Sequence, residues 1–304
     1  MRIVVTGATG MLGTALLPCL QGEHDVVGVN SRDFDISQRP AVQMAFRDLR
    51  PDFVYHLAAF TNVDGCETNP QKAMGVNAQG TQNVALACAD VGAALLYIST
   101  DYVFDGSLPR PYREDDTPNP LSVYGQSKLG GESYVQSVVD RHFIVRTSWL
   151  YGPGGKNFVA TILKIATERD ELRVVCDQRG SPTYTLHLAL KLAQMLQLNT
   201  YGTYHVGGVG NCSWFEFART ILKLGGFPRV RVVPISTEES GRKAPRPHNS
   251  VLDNQRLLAS HLGGLPPWQE GLEHYLQEGQ RSGEFDLPSA AAGEEVLQPE
   301  ATDL

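Results

Sequence analysis

Tyr124 and Lys128 stand four residues apart in the segment VYGQSKLGGE. An α-helix places positions i and i+4 on one face about one turn apart, so the phenol and the amine can point into one site. An ammonium close to a phenol favours the phenolate and lowers the pKa of the phenol from its usual value near ~10. The spacing therefore indicates a tuned proton donor. The alternative is a tyrosine packed on the domain surface beside a lysine that faces solvent.

A glycine triplet opens the chain. Gly7, Gly10 and Gly13 follow the apolar run RIVVT and precede a stretch with helical character. Glycines at such a junction allow the backbone to approach a pyrophosphate closely, and the helix N-terminus attracts its charge. We therefore predict a dinucleotide site here, with Met11 and Leu12 in the same turn. The alternative is a turn that only packs the helix on the strand.

The end of the second β-rich run, HDVVGVN, predicts which dinucleotide is bound. An acidic residue there would accept hydrogen bonds from the adenosine ribose of NAD, but the chain has Asn30, then Ser31 and Arg32. A neutral residue beside a guanidinium accommodates a 2′-phosphate, so NADP(H) is favoured, while the nearby Asp33 or Asp35 leaves NAD(H) open. Further candidates for the cofactor wall are Asp35 and Ile36 beside the adenine, and Ala58, Ala59 and Phe60 after the run FVYHL.

Composition restricts the class of protein. The chain has 304 residues, of which 42% are hydrophobic and 19% charged, so it can bury a substantial core in one large α/β body or two lobes. The net charge of −7 argues against a general nucleic-acid binder. There is neither an apolar stretch of ~18 residues nor a signal-peptide pattern before the first strand, so we expect a protein that is neither secreted nor in a membrane.

The cysteines predict the redox compartment. They are scattered, odd in number and without C-x-x-C spacing, at positions Cys19, Cys66, Cys88, Cys176 and Cys212. This pattern is typical of reduced thiols rather than of a disulfide or metal framework. We therefore expect a cytoplasmic location and no metal site.

The elements that must position these residues alternate along the chain. Strand-like runs at RIVVTG, HDVVGVN, FVYHLAA, ALLYIST and HFIVRTSWLY are separated by helical stretches such as 71–91 and 125–139. This alternation predicts an α/β fold with a Rossmann-like, doubly wound parallel sheet, whose sites lie at the carboxyl ends of the strands.

The texture of the sequence changes after Tyr151. We expect a Rossmann domain over 1–150 and a smaller α/β substrate-binding domain over 151–281, with parts of 180–210 returning to the first sheet. Ser213, with Glu216 three residues later, predicts a capped helix in the second domain. The acidic, aperiodic stretch 282–304 is expected to be a mobile tail.

Several segments together resemble one family. GATGMLG, STDYVFDG, PLSVYGQSKLGGE, RTSWLYGPGGKNF, DQRGSPT and RPHNSVLD occur in consistent order over residues 1–280. They resemble the extended short-chain dehydrogenases/reductases and, within them, the dTDP-4-dehydrorhamnose reductases. The resemblance implies a nucleotide-sugar substrate and NAD(P)H-dependent reduction of the 4-keto group of dTDP-4-dehydro-β-L-rhamnose. It is also compatible with a homodimer.

The resemblance assigns roles residue by residue. It implies a catalytic trio of Thr100, Tyr124 and Lys128, in which the threonine binds the sugar carbonyl oxygen and the tyrosine protonates it. Trp149 and Asp101 are implied as substrate contacts. Arg246, in the segment RPHNS, either meets the diphosphate of the substrate or organises the second lobe.

Three rival functions share the scaffold. A nucleotide-sugar dehydratase would place an Asp–Glu pair after the threonine, whereas Thr100 is followed by Asp101 and Tyr102. A 4-epimerase would release no oxidised cofactor. A catalytically silent regulatory subunit, resembling the β subunit of methionine adenosyltransferase, shares the DYVFDG and Y-x-x-x-K patterns.

Overall fold

The computed structural model describes residues 1–288. Its strands are β1 (Arg2–Thr6), β2 (Asp25–Val29), β3 (Phe53–His56), β4 (Ala94–Thr100), β5 (His142–Thr147), β6 (Leu150–Tyr151), β7 (Glu171–Val175), β8 (Arg179–Gly180), β9 (Thr183–Tyr184), β10 (Gly202–His205), β11 (Cys212–Ser213) and β12 (Arg231–Ile235). Its α-helices are α1 (Met11–Leu20), α2 (Arg39–Leu49), α3 (Val63–Thr68), α4 (Pro70–Ala73), α5 (Thr81–Val91), α6 (Val123–Val138), α7 (Phe158–Ala166), α8 (Thr185–Gln194), α9 (Trp214–Leu224), α10 (Gln255–Leu258) and α11 (Trp268–Ser282).

Six strands form one parallel sheet in the order β10-β5-β4-β3-β1-β2. The order turns back at β1, next to β3, and this reversal opens a crevice at the carboxyl ends of the strands. All four residues of β3 are buried, as expected for a strand that helices cover on both faces. The predicted α/β, Rossmann-like fold is confirmed.

Two apolar clusters hold the helices on the sheet. On one face, Leu16 of α1 and Leu192 of α8 join the inward side chains of the sheet. On the other face, Phe46 of α2, Val84 of α5 and Val135 of α6 do the same. Packing on both faces fixes the strand ends from which the predicted site residues project.

Apart from these two clusters, which form the core of the sheet, a second core, the second apolar cluster, forms from later parts of the chain. It includes Phe217 of α9 and Leu272 and Tyr275 of α11, and it packs beside the parallel pair of β7 and β12. Ser213 caps α9, and its side chain and that of Glu216 form the reciprocal capping box that the sequence indicated. Meanwhile β10 pairs with β5, so a later segment returns to the first sheet.

Packing continues beyond residue 282. The Phe285 ring is only 9% exposed and lies 5.1 Å, centroid to centroid, from the Tyr275 ring. The mobile tail expected from about residue 282 therefore does not begin there, because a bulky aromatic side chain finds a place in the second core. The rest of that expected tail, residues 289–304, lies outside the described residues.

The stretch 71–91, predicted as one helix, is interrupted. A π-helical segment, Met74–Gly80, joins α4 to α5. The Asn77 side chain accepts a hydrogen bond from the Phe60 amide (2.7 Å) and donates to its carbonyl oxygen (3.0 Å). It also donates to Ser127 Oγ on α6 (3.0 Å). The widened turn therefore ties the segment after β3 to the helix that carries Tyr124 and Lys128. Across residues 1–288, none of the helices combines the length and the apolar character that crossing a bilayer requires.

Candidate active site

A cavity of about 780 Å³ lies at the carboxyl ends of the parallel strands. Its walls come from the turn between β1 and α1, the ends of β2, β4 and β5, and the first turns of α6 and α7. The predicted site residues that line it are Gly7, Gly10, Met11, Leu12, Gly13, Asn30, Ser31, Asp35, Ile36, Ala58, Ala59, Thr100, Asp101, Tyr124, Lys128 and Trp149. The residues predicted to bind the cofactor and those predicted to act on the substrate thus line one cavity.

The glycine turn has a steric reason for its composition. Gly7 adopts a φ of 70°, and a Cβ there would lie 2.7 Å from the Ala58 nitrogen. A Cβ at Gly13 would lie 2.5 Å from the Gly7 carbonyl oxygen. The turn therefore admits only glycine at these positions, and α1 starts directly under the cavity with its amide groups pointing at it.

The end of β2 contributes Asn30 and Ser31 to the wall, but Arg32 is not among the lining residues. The Asn30 side chain accepts a hydrogen bond from the Arg32 amide (2.9 Å), which turns the chain at this point.

Phe60 is likewise absent from the lining. Its backbone is bound by Asn77, and the Lys72 amine lies 4.8 Å from its ring centre, so the side chain packs beside the cavity. Phe34, which sequence reasoning missed, lines the cavity together with Asn30 and Ser31.

Lys128 is buried below the cavity floor, with its amine 4.1 Å from the centre of the Tyr97 ring. The Tyr97 hydroxyl donates a hydrogen bond to the backbone carbonyl oxygen of Lys128 itself (3.2 Å). Burial lowers the pKa of Lys128 to about 7, against the opposing effect of the Glu132 carboxylate. The Lys128 amine therefore gains or loses its charge near neutral pH.

Tyr124 faces the same cavity from the first turn of α6, which Ser122 caps by accepting a hydrogen bond from the Gly125 amide (3.2 Å). Burial raises the pKa of Tyr124 above its ordinary value, and a hydrogen bond with Thr100 opposes the rise only in part. The sequence led us to expect a lowered pKa from the nearby ammonium. In the structure burial of the phenol is the largest influence on this pKa, and the Lys128 amine is packed on the Tyr97 ring.

Thr100 ends β4, opposite Thr147 of β5. Its hydroxyl donates to Asp101 Oδ1 (3.0 Å) and accepts from the Tyr102 amide (3.2 Å). Asp101 is buried, and its Oδ2 has no hydrogen-bond partner within residues 1–288. Burial raises the pKa of Asp101 to about 7, although the nearby hydroxyls of Ser250 and Thr100 counteract it. A polar cluster with spare hydrogen-bonding capacity therefore lies at the strand end beside Tyr124.

A buried ion pair supports this cluster from behind. Arg146 of β5 and Glu132 of α6 are joined at 2.7 Å, and both side chains are at most 4% exposed. Ser99 Oγ donates to Glu132 (2.5 Å), and the Arg146 guanidinium donates to Nε2 of His205 (3.4 Å). Sequence reasoning missed this network, because the partners are far apart in the chain. It fixes α6, the helix of Tyr124 and Lys128, against β5.

Trp149 lies just beyond β5 in the left-handed backbone region, with a φ of 47°. Its indole stacks on that of Trp214 at 3.5 Å between ring centroids and 7° between planes. The Phe158 ring lies 4.6 Å from the Trp214 ring. Trp214, Phe158 and Lys156 also line the cavity and were not predicted. Aromatic residues from the second apolar cluster thus close this end.

Arg246 does not line the cavity. Its guanidinium forms two hydrogen bonds with the Asp64 carboxylate of α3, at 3.2 and 3.0 Å. The Ala244 amide donates to the same carboxylate (3.0 Å). Although burial acts in the opposite direction, the hydrogen bonds from Arg246, Ala244 and Arg242 lower the pKa of Asp64 to about 2. The pair therefore ties a later loop to α3.

The parallel sheet, the glycine turn and the Tyr124–Lys128 pair in one cavity define a Rossmann-type dinucleotide-binding protein of the extended short-chain dehydrogenase/reductase class. The chain belongs to the RmlD substrate binding domain family, whose model matches residues 1–281. The resemblance to dTDP-4-dehydrorhamnose reductases is confirmed.

Individual relatives agree over nearly the whole length. A dTDP-4-dehydrorhamnose reductase of Streptomyces griseus is 43% identical over 278 residues, 89% of this chain and 91% of the relative. The spore coat polysaccharide biosynthesis protein SpsK of Bacillus subtilis is 42% identical over 280 residues, 91% of this chain and 97% of the relative. The crystal structure of a Bacillus anthracis dTDP-4-dehydrorhamnose reductase in complex with NADP superimposes with a TM-score of 0.89. It is 43% identical, and the match covers 91% of this chain and 99% of that one.

Proposed function

We propose that the protein reduces the 4-keto group of dTDP-4-dehydro-β-L-rhamnose, with NADPH as reductant, to give dTDP-β-L-rhamnose. The main support is that Thr100, Tyr124 and Lys128 lie in the same cavity as the glycine turn. A dinucleotide on the turn and a carbonyl beside the phenol can therefore react with each other. The relatives that carry the name of this reductase cover the same residues.

The residues of the chain fit the parts of a dinucleotide. The turn of Gly7, Gly10 and Gly13 would hold the pyrophosphate against the start of α1. Asn30 and Ser31 would face the adenosine ribose, where neutral side chains accept a 2′-phosphate better than a carboxylate does. NADP(H) is therefore the favoured cofactor and NAD(H) the second. When bound, the cofactor supplies the hydride.

The chain's own residues supply the proton and the orientation. The Thr100 hydroxyl would donate to the sugar carbonyl oxygen, in exchange for its bond to Asp101, and Tyr124 would deliver a proton to the same oxygen. Lys128, when protonated, would stabilise the tyrosinate that remains and donate to the nicotinamide ribose. One hydride on carbon and one proton on oxygen convert the C=O group into CH–OH.

The surroundings of the reaction are part of the same proposal. The second apolar cluster and the residues around it, within 151–281, would bind the nucleotide-sugar, and the first sheet would bind the cofactor. The five free thiols fit the reducing cytoplasm. We propose a small-molecule substrate and no nucleic-acid or membrane partner, and a homodimer as the assembly.

The test is to supply enzymatically prepared dTDP-4-dehydrorhamnose with NADPH or NADH, follow the absorbance of the reduced cofactor and identify the sugar formed. We expect stoichiometric oxidation of NADPH, dTDP-rhamnose as product and a higher kcat/KM with NADPH than with NADH. Product without net oxidation of the cofactor would indicate an epimerase. Binding of both ligands without turnover would indicate a regulatory subunit and contradict the proposal.

A further inference from the structure

The Trp149–Trp214 stack has no part in the function proposed so far. Both rings line the cavity, both are partly exposed, and their planes are nearly parallel at 3.5 Å. Thr147, two residues before Trp149, pairs with Thr100 across the sheet. The stack therefore stands at the end of the cavity where the substrate carbonyl would be bound.

One face of the Trp149 ring is fixed in place. A Cβ at Gly180 would lie 2.4 Å from Trp149 Cε2, so the indole rests directly on the backbone of β8. Gly180 pairs with Cys212 of β11, and Trp214 follows two residues later at the first position of α9. One short antiparallel pair thus carries the contacts of both faces of the Trp149 ring.

The second face is covered by the Trp214 ring, which is partly exposed and also lies beside the rings of Phe158 and Phe217. These contacts are between side chains, so a rotamer change would move the ring off Trp149 and leave the capped backbone of α9 in place. The Gly180 backbone cannot retreat in this way, because it is paired with β11 and buried. Hence Trp149 can offer its second face to a ligand only when Trp214 moves.

We propose that Trp214 is a second substrate-contacting residue, and that a ring of the nucleotide-sugar enters between the two indoles. This inference rests on the proposed function. A flat base or the apolar face of a deoxysugar ring gains two indole faces and displaces a single indole–indole contact. Trp214 is thus a movable wall of the nucleotide-sugar subsite.

The stack provides its own spectroscopic signal. Stacked indoles whose transition dipoles are not parallel give a coupled circular dichroism band that an isolated indole lacks. The third tryptophan, Trp268, is buried in the second core and contacts Phe217 instead. Trp214→Phe should abolish the coupled band in the free protein, and Trp268→Phe should leave it, which assigns the band to the stack.

Ligands are then added singly to the wild-type protein, with binding checked by calorimetry. We expect dTDP-rhamnose to abolish the coupled band. If dTDP alone does so, the base is the inserted ring, and if only the full nucleotide-sugar does so, the sugar is. Loss of the band with NADP+ alone, or an unchanged band with bound dTDP-rhamnose, contradicts the inference even where turnover confirms the proposed function. Absence of dTDP-rhamnose binding overturns both.

Kinetics give a second measurement. Trp214→Ala should raise KM for the nucleotide-sugar by about 2–10-fold, the range expected for one aromatic stack. KM for NADPH should stay within about twofold, because the glycine turn is remote in the chain and untouched. An unchanged KM for the nucleotide-sugar in a folded, active Trp214→Ala protein overturns the assignment.

Discussion

Lys128 and Tyr97 hold each other in two ways: the amine lies 4.1 Å from the ring centre, and the tyrosine hydroxyl donates to the lysine carbonyl oxygen. The ring comes from β4 and the amine from α6, so the contact sets where the charge sits under the cavity. Burial lowers the pKa of Lys128 to about 7. Two measurements test this contact, and two more test the ion pairs that hold the site together.

The first concerns stability against pH. In the unfolded chain the lysine stays protonated up to its ordinary pKa of 10.5, whereas in the folded protein it loses the proton near 7. The folded state therefore binds fewer protons between these values, and this residue's contribution to stability rises with pH from about 7 to 10.5. Lys128→Met should be more stable than the wild type at pH 6, and the difference should shrink toward pH 10. Denaturant titrations at several pH values measure it; a difference independent of pH contradicts the lowered pKa.

The second concerns Gly131, which gives the Tyr97 ring its space. A Cβ at this position would lie 2.4 Å from the Tyr97 hydroxyl oxygen and 2.8 Å from the Asn77 carbonyl oxygen. Gly131→Ala should therefore destabilise the protein by about 1–3 kcal/mol, as overpacking does, and lower kcat by displacing the lysine.

Gly75→Ala is the matched control, because a Cβ at Gly75 meets no atom within 4 Å. It should leave kcat unchanged. Equal effects of the two substitutions on kcat would show that the Tyr97 contact does not position the amine.

The third concerns the buried pair of Glu132 and Arg146. Removing one charge leaves the other buried without a partner, so Glu132→Gln should cost about 3–5 kcal/mol of unfolding free energy. The exposed pair of Glu171 and Arg231 is the control, and Glu171→Gln should cost less than about 1 kcal/mol. Chemical denaturation measures both. Similar small losses would mean that the buried pair does not hold α6 on β5.

The fourth separates the two roles considered for Arg246. If the Asp64–Arg246 pair only fastens the loop, Asp64→Asn and Arg246→Gln should both speed amide hydrogen exchange at residues 242–249, and the double variant should add little. KM for the nucleotide-sugar should then change alike in all three. A larger rise of KM in Arg246→Gln alone would instead indicate contact with the substrate diphosphate.

The fold was predictable because its signals are local. Each strand is an apolar run bounded by turn residues, and Gly7 and Gly13 mark a place where any side chain would collide. The Tyr124–Lys128 spacing, too, lies within one helix. These features depend only on residues that are close together in the chain, so they can be predicted from the sequence.

The rest depends on which distant segments meet. Trp214 joins Trp149 through the pairing of β8 with β11, and Arg146 meets Glu132 from a different element. The pKa of Tyr124 likewise depends on how many atoms surround the phenol, which the spacing of a lysine does not reveal. Arg32 is expected at the cofactor because it follows β2, but it is not among the residues that line the cavity.

The most direct measurement is the turnover of Tyr124→Phe with dTDP-4-dehydrorhamnose and NADPH, beside the affinity of the variant for NADPH. Loss of the phenol hydroxyl removes the proton donor but leaves the glycine turn and Lys128 in place. We predict a fall in kcat of about 10²–10⁴-fold with NADPH affinity within about twofold of the wild type. Near wild-type turnover in a properly folded Tyr124→Phe protein would contradict the account.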